Sequence, residues 1–199
     1  LQKGRWMLTM TTMPKKQVGF TLIELLMSLV ILAVLMMIAL PSFRQFIQKN
    51  QIKASAEAIQ NGIQLARAEA VRTNSNARFT LATGTGSTSW TVADDATGTT
   101  VQQSRASGEG GSAEVVATTY SGNPLAADTS ALRVTFNGFG RVVTNTPSSI
   151  AILAAVDVGI TGGPANSTLR IEIQNPGGQV RICDPSVSTA GTDTRRCLQ

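Results

Sequence analysis

Histidine is absent from the 199 residues, and cysteine occurs only twice. The first absence removes every mechanism built on an imidazole base or ligand: Ser-His-Asp and Cys-His nucleophile activation, the HExxH zinc helix and His-bearing zinc fingers. Two cysteines are too few for an all-cysteine structural zinc site. No G-x-S-x-G nucleophile turn occurs either. Gly84-Thr85-Gly86 and Gly108-Glu109-Gly110-Gly111 are glycine-rich, but no helical pattern follows either of them, so they read as loops and not as phosphate cradles. No catalytic residue, metal or cofactor is expected. The length suits one modest domain with an attached segment. The net charge of +5, from 17 basic and 12 acidic side chains, by itself points to an anionic partner.

The composition changes sharply along the chain. Residues 1–19 carry Lys3, Arg5, Lys15 and Lys16 and no acid. Residues 20–40 are apolar at all positions except Thr21, Glu24 and Ser28. Such a run spans roughly 30 Å as a helix, enough to cross a bilayer. Basic residues precede it, so the positive-inside rule keeps residues 1–19 cytoplasmic and sends the rest outward. A cleaved secretory signal has the same layout, but its apolar region is usually shorter, and Met36-Met37-Ile38-Ala39-Leu40-Pro41 lacks small residues at −3 and −1. Glu24 is the odd residue within the run. Either it lies near the headgroups and snorkels, or it has a partner and a function, because a carboxylate there costs about 2.5–3.5 kcal/mol on insertion scales.

Gly19-Phe20-Thr21-Leu22-Ile23-Glu24, preceded by Lys15-Lys16 and followed by an apolar stretch to Pro41, resembles the class III signal of type IV pilins and pseudopilins. The resemblance implies cleavage by a prepilin peptidase between Gly19 and Phe20, followed by N-methylation of Phe20. It also implies assembly roles for Glu24, fifth in the mature chain, and Pro41, the twenty-second. In the family the fifth-position carboxylate pairs with the amino terminus of a neighbouring subunit, which offsets the cost of burying it. A leader starting at Met13 would have the compact form usual for the family, so residues 1–12 are read as an upstream start assignment.

Beyond Pro41 the helix is expected to continue to Thr73. Ile52, Ala56, Ile59, Ile63, Ala66 and Ala70 recur at helical spacing, a stripe suited to packing on a sheet. Leu65 to Arg72 resembles the A-R-x-E-A segment of the GspH/FimT family of minor pseudopilins and minor pilins. Residues 74–199 read as a β head. β-prone runs lie at 77–82, 89–93, 114–120, 132–137, 140–144, 150–157, 168–174 and 179–183, separated by Gly, Pro, Asn or Asp turns. Residues 94–112 read as a loop with room for one short strand. Phe136-Asn137-Gly138-Phe139-Gly140-Arg141 is similar to the F-x-x-x-G-R segment of the same family and reads as a hairpin around Asn137-Gly138.

The expected fold is therefore α+β and pilin-like: a long N-terminal α-helix, membrane-spanning in its first half (20–40) and amphipathic over 41–73, packed on an antiparallel β-sheet head. Cys183 and Cys197 would both lie in the periplasm, where an even count favours a disulfide over two free thiols. In FimT-type proteins linked to DNA uptake, a G-R-x-R motif precedes a cysteine near the C-terminus. Here Gly178-Gln179-Val180-Arg181-Ile182-Cys183 keeps the second arginine and has Gln179 at the first. The leading expectation is a structural subunit of a type IV pilus or type II secretion pseudopilus. It starts in the bacterial inner membrane with its head periplasmic, and its partners are other pilins, the prepilin peptidase, the inner-membrane assembly platform and membrane lipid. The alternative is a pilus-borne DNA receptor using Arg181, Arg195 and Arg196. Without the leader, thirteen basic and twelve acidic side chains remain, so most of the net charge is a topology signal.

Overall fold

The structure is a computed structural model that describes residues 19–82, 88–104, 115–160, 162–163, 167–187 and 193–198. The basic leader, the proposed start at Met13 and the two glycine-rich segments lie outside the described residues. The chain divides into two units, Leu1–Pro41 and Ser42–Gln199.

One helix, α1 (Leu22–Thr73), runs through both units, with Pro41 inside it. Its start is capped: the Glu24 N–H donates to Thr21 Oγ1 at 3.3 Å, which satisfies one of the first-turn amides. Its end is equally defined. Asn74 takes a positive φ of 50°, the Asn74 N–H donates to the Val71 carbonyl and the Ser75 N–H to that of Ala70. That is a Schellman closure with asparagine in the left-handed position. Between those ends the two units differ. In the first unit every described residue is exposed, Leu22, Ile23 and Met37 among them. In the second, Ile52, Ala56, Ile59, Ile63, Ala66 and Ala70 are all buried, as their spacing predicts.

The stripe packs into a head of two five-stranded sheets, a finer division than a single antiparallel sheet. The first contains β1 (Ala77–Leu81), β2 (Trp90–Asp94), β3 (Thr100–Ser104), β6 (Arg133–Phe136) and β7 (Val142–Val143), in the order β3-β2-β1-β6-β7. The second contains β4 (Val115–Ser121), β5 (Ala126–Ala127), β8 (Ala155–Ile160), β9 (Leu169–Ile173) and β10 (Val180–Cys183), in the order β10-β9-β8-β4-β5. Every strand pairing is antiparallel. Alternation fixes the inner face. In β1, Ala77, Phe79 and Leu81 are buried and the residues between them are not. On β4, β8 and β9 the Tyr120 hydroxyl donates to Asp157 at 2.9 Å, and Arg170 holds the same carboxylate through two bonds at 2.6 and 2.8 Å. Arg170 also lies over the Tyr120 ring at 4.8 Å, a cation–π contact.

One expectation needs correction. The run 150–157 is not one strand: β8 starts only at Ala155. Asn145 is the cause, because its side-chain amide donates to the carbonyls of Ile150 and Ala151, groups a strand would use in its ladder. The Leu153 N–H donates across to Arg133 at 2.8 Å, so this segment ties the two sheets together. Within the loop 94–112, β3 is the one short strand allowed for there, and residues 105–112 lie outside the described residues; the two-residue β5 has no counterpart among the β-prone runs.

Gly62 sets how closely helix and sheet approach. A Cβ there would fall 2.6 Å from Trp90 Cδ2 and 2.9 Å from Phe79 Cε2, and both rings are buried with their centroids 5.9 Å apart. The buried core runs from Ile52 to Cys197, so a fragment from residue 48 onward keeps all of it. In that fragment Gly62→Ala gains about 1 kcal/mol of helix propensity but overpacks rigid rings, which costs about 1–3 kcal/mol. We expect the melting temperature to fall by several degrees; a rise by thermal denaturation would refute the close approach.

Candidate functional site

Three places carry the residues singled out by sequence. At the N-terminus, Gly19 and Phe20 precede α1 in non-helical backbone, and Phe20 is 82% exposed. The peptide bond between them is therefore reachable without unwinding the helix. Glu24 stands in the first turn of α1, where a carboxylate also faces the positive end of the helix dipole. The helix that follows contains a window of mean hydropathy 2.8 with none of it buried, long and apolar enough to cross a membrane.

The second place is where the two family-like segments meet. Arg67, of the helical segment, donates from Nε to the Gly140 carbonyl at 2.9 Å. Its neighbours in that segment explain themselves: Ala66 and Ala70 are buried, and Glu69 accepts Arg72 Nε at 2.8 Å. In the hairpin segment Phe136 is fully buried and Gly140 has φ +70°, a conformation that costs a side chain about 1–2 kcal/mol. Asn137 shapes the turn, its Oδ1 accepting the N–H groups of Phe139 at 3.0 Å and Arg141 at 3.1 Å. The β6–β7 pairing of Phe136 with Val142 bears out the hairpin. Sequence reasoning missed Arg67 as the link, because the two segments are 73 residues apart.

The third place is the C-terminus. Cys183 and Cys197 form a disulfide. Glu172, 1% exposed, lies beside it and accepts the Leu198 N–H on both carboxylate oxygens at 3.1 Å. Both sulfurs are used in the disulfide, so the Glu172–Cys183–Cys197 group offers a metal only one carboxylate. Arg181 lies opposite Glu172 in the β9–β10 register and pairs with it at 3.5 Å. It also donates to the Arg196 carbonyl, while the Arg196 backbone bridges to Asp184. Arg195 pairs with Asp193 at 2.8 Å. The hydrogen bond from Arg195 holds the Asp193 carboxyl down at about 2, so this pair stays ionised at neutral pH. Arg181 and Arg195 are thus compensated within the head. The sequence signal for Glu172 was its position opposite Arg181 across a strand pair, which is readable only once the register is known.

A long exposed apolar helix leading into a head where its second half packs on antiparallel sheets is the architecture of a pilin-type filament subunit. Residues 55–177 match the family described as "Type II transport protein GspH", and the chain belongs to that family. Residues 14–40 match the prokaryotic N-terminal methylation motif. It is thus a GspH/FimT-type minor pilin or pseudopilin with a prepilin signal, a subunit of a pilus or pseudopilus. Among solved structures, the type IV minor pilin FimU of Pseudomonas aeruginosa is similar in fold, with TM-score 0.50 and 16% identity over 71% of this chain and 95% of that one. A second crystal form of FimU aligns at TM-score 0.43 and 14% identity, over 68% of this chain and 94% of that one. No curated protein matches the chain in sequence.

Two outcomes follow for the C-terminus. The disulfide joins residues 14 apart, and closing a loop of that size stabilises by up to about 3 kcal/mol on chain entropy. Cys183→Ser with Cys197→Ser should therefore lower the melting temperature of the head by about 6–12 °C, measured by circular dichroism. With Arg181 and Arg195 paired internally, DNA mobility should not shift with the head at low salt. A shift that weakens as salt rises would restore the DNA-receptor reading.

Proposed function

We propose that the chain is inserted as a single-pass precursor in the bacterial inner membrane, with residues 1–19 cytoplasmic and the head periplasmic. A prepilin peptidase then cuts between Gly19 and Phe20 and methylates the new amino terminus. The assembly platform lifts the mature subunit from lipid into a filament, where its role is structural and not catalytic. The observation that carries this reading is the contrast within α1: apolar on every side and fully exposed through the first unit, one-sided and buried beyond Ile52. An uncovered apolar surface of that size has to be covered, by lipid tails before assembly and by neighbouring helices after it.

Glu24 then has a role beyond the helix dipole. In a bundle of apolar helices its carboxylate has to find a cation, and the amino terminus created at Phe20 of a neighbouring subunit is one of the right charge. The pairing would register one subunit on the next. Arg181, Arg195 and Arg196 acquire no DNA-contact role in this reading.

Glu24→Ala should leave membrane insertion and cleavage intact, read by fractionation and by the mass of the mature chain beginning at N-methylated Phe20. It should sharply lower the share of the protein recovered in sheared filaments or cross-linked assemblies. Incorporation equal to that of the unaltered protein would sink the registration role.

A further inference from the structure

The turn from Asn137 to Arg141 carries Phe139 at its tip, 84% exposed. A lone exposed aromatic is unremarkable in itself. What sets this one apart is the bracing beneath it. Asn137 Oδ1 holds the N–H groups on both sides of Gly140, at Phe139 and Arg141, and the Gly140 N–H donates to the Asn137 carbonyl at 2.8 Å. Arg67 grips the Gly140 carbonyl from the helix. Gly138 sits so close to Asn74 that a Cβ would fall 3.1 Å from its backbone, and the Val142 N–H donates to Pro176 at 3.1 Å. The ring is thus presented by a backbone fixed on several sides, so little ordering entropy remains to be lost when something packs on it.

Beside the ring lies an open groove, lined by Phe139 and Gly140 of the turn and by Gln64, Ala68 and Val71 of α1. Val71 is 52% exposed. Arg67 and Arg72 line the same groove. Arg72 is paired with Glu69, but Arg67 makes no ion pair among the described residues, and neither does Arg141, exposed at the end of the turn. The surface therefore combines an apolar anchor with uncompensated positive charge.

We propose that this groove seats a neighbouring filament subunit, through a segment in which an apolar side chain lies beside a carboxylate. The proposal rests on the filament reading above and names a contact surface on the head. Charge complementarity selects the partner's acid, and the braced aromatic is the type of residue that dominates binding at interfaces. The exposed apolar helix already commits the chain to association with its own kind, and the groove gives the head a share in that contact.

The test uses the full-length chain in its native cells, with p-benzoylphenylalanine replacing Phe139 in one strain and Phe46, an exposed apolar residue of α1, in another. Adducts are identified by mass spectrometry. We expect both positions to capture proteins bearing an N-terminal methylation motif, this chain or a relative. Capture from position 46 but not from 139, or capture from 139 only of proteins without the motif, overturns the groove and leaves the filament reading intact. Capture from neither position overturns both. In parallel, Phe139→Ala should lower the assembled fraction on the order of tenfold while the head melts within about 1 °C of the unaltered protein. Phe139→Leu should retain most of the assembly. An unchanged assembled fraction in Phe139→Ala overturns the proposal.

Discussion

The contact on which the head depends is the seating of one stripe of α1, Ile52 to Ala70, against the inner faces of two sheets. It mixes large and small residues: Ile52, Ile59 and Ile63 fill space, while Ala56, Ala66 and Ala70 let strands come near. Gly62 takes this to its limit, with the Trp90 and Phe79 rings where a side chain would be. Close packing of this kind transmits position rigidly. Once the stripe is seated, Asn74 ends the helix at a fixed point, and Arg67 meets the Gly140 carbonyl. Helix packing thus adds to the bracing of the turn at Phe139 that Asn137 supplies from within.

The same helix shows how the arrangement of apolar residues, more than their number, decides fate. Through residues 22–40 they occupy every side, and nothing among the described residues covers them. From Ile52 on, the stripe Ile52, Ala56, Ile59, Ile63, Ala66 and Ala70 is buried against the head, while Val71 stays 52% exposed. A fully apolar helix has no polar face with which to meet water, so its environment has to be lipid or other helices. Pro41 lies within α1 and costs one backbone hydrogen bond.

Much of this was legible in the sequence because it rests on local periodicity. The stripe is a spacing of three and four, the strands β1, β9 and β10 are short β-prone runs with turns at their ends, and the hairpin at Asn137 is a turn dipeptide between them. What was not legible depends on partners distant in sequence. Ile150 to Ala154 reads as strand by composition, yet the Asn145 amide takes its carbonyls. The two-residue β5 has too little pattern to read and exists because Tyr120 and Ser121 pair with it. The pairing of Arg181 with Glu172 depends on the β9–β10 register, which brings together residues that the sequence does not mark as partners.

Charge shows the same division between local signal and folded context. The net +5 of the whole chain comes mostly from the leader, where it reports orientation across a membrane. In the head, folding consumes charge: Arg78 meets Asp95, Arg170 meets Asp157, Arg181 meets Glu172 and Arg195 meets Asp193. Of the C-terminal arginines, Arg181 and Arg195 each meet an acid within the head. At the helix–turn junction, Arg67 and Arg141, one in each family-like segment, make no ion pair among the described residues. Those segments hold geometry first, through buried Phe136, Ala66 and Ala70 and the left-handed Gly140. Their positive charge is what remains after the geometry is satisfied, and it lies beside the one aromatic ring of the turn that the fold leaves uncovered.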